Sequence, residues 1–134
     1  EARTALVAEF ERFVFIATHF CHKSEVNRTA AATRLNEYAA EHFQTSDKPV
    51  YLAGGLNLNR TTSNAFIELL KSWKIITSND YTMSTGNTRI DYVLVYTGNQ
   101  ASCEVLGAAV PTFSEIDVYT VSDHLPVFVD LKKE

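Results

Sequence analysis

Val50-Tyr51-Leu52-Ala53-Gly54-Gly55-Leu56-Asn57 is an apolar run introduced by Pro49, interrupted by two glycines and closed by an asparagine. Pro49 stops a helix from continuing into the run, and the branched and aromatic residues behind it suit a pleated strand. Paired glycines let a backbone turn sharply or come close to a ligand. The run therefore reads as a buried strand that delivers Asn57 to a rim, and function is sought where it ends.

Upstream, Ser24 caps a helix expected to run to about Gln44, with Ala31, Leu35, Tyr38, Ala39 and His42 along one face and Arg28, Arg34, Asn36 and Glu41 mostly elsewhere. Before it, Ala5 to Phe10 and Phe13 to Thr18 are two strand-like runs separated by Glu11-Arg12, the pattern of a hairpin. The second run is almost wholly apolar and reads as a central strand buried on both faces. It ends in Thr18-His19-Phe20-Cys21-His22. Strand, helix and strand predict a right-handed crossover with a parallel pair.

Downstream, Phe66, Leu69, Leu70 and Trp73 lie at helical spacing, which predicts a second helix over about Ser63 to Trp73, with Trp73 as a packing residue. Ile75-Ile76-Thr77 reads as a short strand, and Ser78 to Thr88 as a polar rim loop with turn signals at Asn79-Asp80 and Gly86-Asn87. Further strands are expected at Arg89 to Tyr96, Ser102 to Val110 and Leu125 to Leu131, the last following Val121-Ser122-Asp123-His124 directly.

The chain of 134 residues is one domain's worth at most, and its formal net charge of −4 comes with no Lys/Arg run. A surface that grips nucleic acid by phosphate neutralisation alone is thereby disfavoured. A small or lipid-like phosphate, or a site that recruits its own cation, fits better. Cys21 and Cys103 are too few for a disulfide framework and lack CxxC spacing. No run is long and apolar enough to span a membrane, and no charged-then-apolar signal pattern stands at the N-terminus. The chain opens Glu1-Ala2-Arg3 rather than with Met, as expected of a processed or truncated chain. Asn27-Arg28-Thr29 and Asn59-Arg60-Thr61 fit the glycosylation sequon, a triplet that also arises by chance.

Taken singly, His19 at a strand end, Asp91 at a strand start and Asn57 in a turn all have ordinary structural explanations. Asp123-His124 ahead of Pro126 is more specific, because a nearby carboxylate fixes an imidazole's tautomer. Repetition carries the functional reading: four apolar strands each release a His, Asn or Asp at or near a terminus. Strands of one α/β sheet would gather those ends where ligands collect. Asp and Asn oxygens suit a hard divalent cation such as Mg²⁺, and an imidazole suits proton transfer or hydrogen bonding to phosphoryl oxygens.

The order Ala17-Thr18-His19, a helix with Arg28, Tyr51 to Asn57, Arg89-Ile90-Asp91-Tyr92, then Ser122-Asp123-His124-Leu125-Pro126-Val127 resembles the endonuclease/exonuclease/phosphatase superfamily. The resemblance spans essentially the whole chain and matches the family's C-terminal half. It implies an α/β (α+β) domain over residues 1–134, part of a four-layered α/β/β/α sandwich of the deoxyribonuclease-I-like type. It also implies a hydrolase of phosphodiesters or phosphomonoesters dependent on Mg²⁺ or Mn²⁺. On that likeness His124 contacts the scissile phosphate, Asp91 hydrogen-bonds the catalytic histidine, Asn57 positions phosphate and water, and His19 acts near the leaving group. Asp123 orients or helps ligate the metal, and Arg28 joins Asn57 as a ligand-binding residue.

Two departures accompany the likeness. Where the family has Gly-Asp-x-Asn, this chain has Gly54-Gly55-Leu56-Asn57. Loss of a positioned general base forfeits about 10² to 10⁴ in rate, so impaired turnover is expected. The family domain is also roughly twice as long, and the half that supplies a metal-binding Glu and an early Asn has no counterpart here. A half-sandwich would expose the face its missing half covers, so self-association as a homodimer or a need for that half is expected. Lys23, Arg28, Arg60 and Arg89 are too scattered to make a basic rim, which favours a small phosphoester, phospholipid or sugar phosphate over duplex DNA. The alternative is a non-catalytic descendant that binds a phosphorylated ligand or a protein partner.

Overall fold

In the computed structural model, which describes residues 2–132, five strands form one sheet in the order β1-β2-β3-β5-β4. They are β1 (Ala5–Glu9), β2 (Val14–Thr18), β3 (Val50–Gly55), β4 (Trp73–Ile75) and β5 (Asp91–Tyr96). The hairpin of β1 and β2 is antiparallel, and β2 runs parallel to β3 with α1 (Glu25–Phe43) as the connection. β5 then inserts antiparallel between β3 and β4. β3, the first six residues of the run that Pro49 introduces, is thus the middle strand. Two parallel strands finish at the edge where β5 begins, so their C-terminal ends and the β5 N-terminus share one rim.

Strand β3 does not turn at its glycines; it runs through both. Gly54 adopts φ +151°, and a Cβ there would lie 1.8 Å from the Thr18 carbonyl oxygen. Only glycine lets β2 and β3 approach so closely at their ends. The chain bends instead at Asn57, which takes a left-handed φ of 54°.

The face toward α1 and α2 (Asn64–Leu69) is the main core, built on Val14, Ile16, Leu52, Leu94, Phe66 and Trp73. Helix α1 carries Ser24 as its N-cap, the hydroxyl accepting from Asn27 N, and ends at the Gln44 C-cap. Its buried line is Ala32, Leu35, Ala39 and Phe43, rotated from the expected Ala31, Tyr38 and His42. Asn36 is half-buried on that side: its amide donates to Glu68 O at 2.7 Å and accepts from Trp73 Nε1 at 3.1 Å. Two helices and β4 meet on this one amide.

Helix α2 is shorter than the periodicity predicts. Leu70 is its C-cap and Trp73 opens β4, because the apolar spacing of Trp73 serves a strand that packs on Tyr96 with ring centroids 5.4 Å apart. Trp73 is fully buried, as a packing residue should be.

On the other face Tyr51, Ile76 and Val95 form a smaller cluster with half-buried Phe13, Phe15, Val129 and Leu131. The cover here is a two-stranded ribbon, β6 (Val105–Ala109) with β7 (Phe128–Leu131), antiparallel and irregular between Val105 and Gly107. The expectation that β2 is buried on both faces is corrected accordingly: Val14 and Ile16 are buried and Phe15 is only half covered. Leu106, Phe113, Ile116, Tyr119, Val121 and Phe128 stand exposed around the ribbon, on or beside the short helix α3 (Val118–Val121). Among the described residues no helix is long and apolar enough to cross a membrane.

Candidate active site

Two main-chain bonds and one from the Asn57 side chain tie the rim together. Phe20 N donates to Gly55 O at 3.0 Å, Leu56 N donates to Ile90 O at 2.7 Å, and the Asn57 amide donates to Phe20 O at 2.9 Å. The ends of β2, β3 and β5 are therefore fixed relative to one another, and so are the side chains leaving them.

Asp91, the first residue of β5, faces Gly55 across the ladder. Its carboxylate lies 2.9 and 3.1 Å from Nδ1 of His124, which arrives on the loop before β7. A carboxylate only accepts, so Nδ1 carries the proton and Nε2 is left as the reactive nitrogen. The histidine loop is itself held: His124 N donates to the Ser122 hydroxyl at 3.0 Å, and Met83 and His124 form a bridge in which Ser84 N donates to Asp123 O at 2.8 Å.

His19 follows β2 and is exposed at the rim. Its Nε2 lies 3.2 Å from the Asn57 amide nitrogen, while Nδ1 lies 3.4 Å from an Arg3 guanidinium nitrogen. The bond from that amide nitrogen to Phe20 O fixes the amide as donor, so Nε2 accepts from it. A neutral imidazole accepts at one nitrogen only, which leaves the longer Arg3 contact as the weaker one.

Between the two couples lies Gly55. A Cβ built there would stand 3.2 and 3.3 Å from Cδ2 and Nε2 of His19 and 3.3 Å from Oδ1 of Asp91. Both couples thus face one point, in front of Gly55. The Gly55 backbone is not in the left-handed region, so a side chain is admissible if the His19 ring gives by a few tenths of an ångström.

Tyr92 stiffens the rim from below. Its hydroxyl lies 2.5 Å from Leu58 O and 2.7 Å from Arg89 O, and the Arg89 guanidinium carbon sits 4.8 Å from its ring centroid. Burial pushes the phenol's pKa up, partly offset by Arg89.

Two expected residues stand apart. Arg28 in α1 donates to Glu25, to Cys21 O at 2.8 Å and to His22 O at 3.1 Å, holding the loop behind His19 and the start of α1. Asp123 is exposed beside His124, and among the described residues no three His, Cys, Asp or Glu side chains gather as metal ligands. Asp91, the nearest carboxylate to Gly55, is engaged with His124. The donors of the described residues do not by themselves make a divalent-cation site. Sequence reasoning missed Arg3, Gly54's close approach and Thr82, whose buried hydroxyl lies in a loop with no pattern to mark it.

No family model matches the sequence, and no curated protein matches it. Solved structures do. An endonuclease/exonuclease/phosphatase family protein from Bacteroides thetaiotaomicron superposes with a TM-score of 0.70 at 21% identity, over 89% of this chain and 48% of that one. The fold is that of the endonuclease/exonuclease/phosphatase proteins. The mannosyl-6-phosphatase of the same organism matches at TM-score 0.65 and 20% identity, over 90% of this chain and 51% of that one. TDP2 of D. rerio, complexed with a single-strand DNA product, matches at 0.74 and 16%, over 98% and 62%. The chain spans about half the length of the two Bacteroides structures and 62% of TDP2, so its two couples occupy one part of an endonuclease/exonuclease/phosphatase fold.

Proposed function

We propose that this chain is the histidine-bearing half of a phosphoester hydrolase, dependent on Mg²⁺ or Mn²⁺ and impaired as it stands by Gly55. The observation that carries the reading is the convergence of His19 and of the Asp91–His124 couple on one point in front of Gly55. His124, its tautomer set by Asp91, offers Nε2 as a proton acceptor and, once that nitrogen is protonated, as a donor to a phosphoryl oxygen. Asn57 and His19, bonded to each other, supply the second group of polar contacts to the ester. Arg28 assists by bracing the loop that carries His19.

A carboxylate at position 55 would stand where water must be oriented for attack, and glycine offers none. The further cation ligands would come from outside this chain's described residues. Small phosphoesters, lipid or sugar phosphates, suit it as substrates better than duplex nucleic acid, because Lys23, Arg28, Arg60 and Arg89 are scattered along the chain and form no basic run.

The exposed apolar residues around the β6–β7 ribbon fit a covering polypeptide, either the complementary half of the fold or a second copy of this chain. An isolated two-stranded ribbon is marginal in water and gains stability when its sheet is extended. Sedimentation at high dilution reads the second copy directly: a folded monomer removes it and leaves the complementary half.

Hydrolysis of a chromogenic phosphodiester with Mg²⁺ or Mn²⁺, by this chain and by Gly55→Asp, each with an EDTA control, tests the central reading. Turnover in Gly55→Asp at least about 10² above the unaltered chain is expected. If neither turns over, either the complementary half is indispensable to turnover or the second reading takes its place, a phosphate-ligand-binding or protein-binding module, which Gly55 itself favours.

A further inference from the structure

Thr82 is the most deeply buried polar residue among those described, 2% exposed, although it sits in the polar loop between β4 and β5. Burying a hydroxyl is costly unless it is hydrogen-bonded, and a surface loop has no ordinary need to do so. The hydroxyl has an unusual task. It accepts from Ile90 N at 3.0 Å and from Asp91 N at 3.2 Å.

Those two N–H groups lie beyond the reach of the edge strand. β4 ends with Ile75 opposite Leu94, and Ile76 N donates to Val93 O, after which the chain leaves the sheet. The Thr82 side chain stands in for the missing strand at the residues that aim the Asp91 carboxylate. Its main chain does something different: Thr82 O accepts from Leu125 N at 2.7 Å, and Thr82 N donates to Thr88 O at 2.9 Å. One residue therefore holds Asp91 through its hydroxyl and the His124 loop through its carbonyl.

We propose that Thr82 is a positioning residue that sets the Asp91–His124 couple by fixing both partners to one point of the β4–β5 loop. Its functional weight rests on the hydrolase reading, but its geometry does not. Removing the hydroxyl leaves two N–H groups without their acceptor, and the start of β5 shifts or frays, taking Asp91 out of line with Nδ1. A merely space-filling threonine would tolerate valine, which has the same shape.

The test uses the imidazole N–H resonances of the whole ¹⁵N-labelled chain, with the His124 Nδ1–H signal assigned by its disappearance in His124→Gln. The Trp73 indole N–H reports the fold. Thr82→Val and Thr82→Ala are expected to lose the Nδ1–H signal to solvent exchange while the Trp73 signal remains, and Thr82→Ser, which keeps the hydroxyl, is expected to retain both. A folded Thr82→Val with an intact Nδ1–H signal overturns the proposal, as does a folded Thr82→Ser that has lost it. Loss of the Trp73 signal in both the valine and alanine variants overturns it too, since the hydroxyl would then hold up the domain instead of aiming one couple. No substrate or metal enters the readout, so a failed hydrolysis experiment and a failed positioning experiment remain distinct.

Discussion

The carboxylate of Asp91 lies 2.9 Å from Nδ1 of His124, joining the first residue of β5 to a loop 33 positions later in the chain. In a preparation that turns over, such as Gly55→Asp, the added change Asp91→Asn is expected to lower kcat by about 10² to 10⁴ while KM changes little, because an amide no longer fixes the imidazole's tautomer or stabilises its charged form. Steady-state kinetics on the double variant checks this. An equal rise in KM with kcat unchanged would assign the couple to binding instead.

The two adjacent glycines should answer differently to the same substitution. At Gly54 a methyl would meet the Thr18 carbonyl oxygen at 1.8 Å on a backbone of φ +151°, and at Gly55 the nearest atom is a His19 ring carbon at 3.2 Å. Gly54→Ala is expected to cost on the order of 3 kcal/mol or more, since both strain and a main-chain clash must be relieved. Gly55→Ala is expected to stay within about 1 kcal/mol of the parent. Urea midpoints of the two variants decide it.

Asn36 bridges Glu68 O and the Trp73 indole N–H. Asn36→Ala removes both partners from half-buried or buried groups and should destabilise the chain by about 1 to 3 kcal/mol. Asn36→Asp keeps the acceptor for the indole but sets a carboxylate oxygen against Glu68 O and the Glu68 carboxylate, so its thermal midpoint should lie no higher than that of Asn36→Ala.

Alkaline pH should loosen the core through its tyrosines. Burial raises the phenol pKa of Tyr92 and of Tyr96 above the ordinary value of 10.0. The neutral forms stabilise the fold fully below pH 10, and the contribution is lost as pH rises through the raised folded-state values, because the unfolded chain releases those protons first. Chemical denaturation between pH 8 and about 11.5 is expected to show falling stability from about pH 10 upward, with a smaller fall in Tyr92→Phe.

Much of this architecture was legible in local pattern. The Ser24 cap, the parallel pair joined by α1, the central strand at Val50 and the rim loop over Ser78 to Thr88 all stand as read, since capping chemistry, strand-like apolar runs and turn residues are local signals. The helix face rotated by about one position because Ala, Tyr and His mark a stripe weakly. Trp73 moved from a helix to a strand because apolar spacing alone does not distinguish the end of one from the start of the other.

The residue types of the candidate site were present in the sequence, and so was the oddity of Gly55, because motif spacing is written along the chain. That His19 and Asp91 face one point, that Arg28 is drawn into bracing a loop, and that Thr82 holds both halves of a couple were decided only by tertiary structure. Parallel β2 and β3 and antiparallel β5 bring distant strand ends to a single rim, and hydrogen bonds across 30 or more positions leave no trace in local composition.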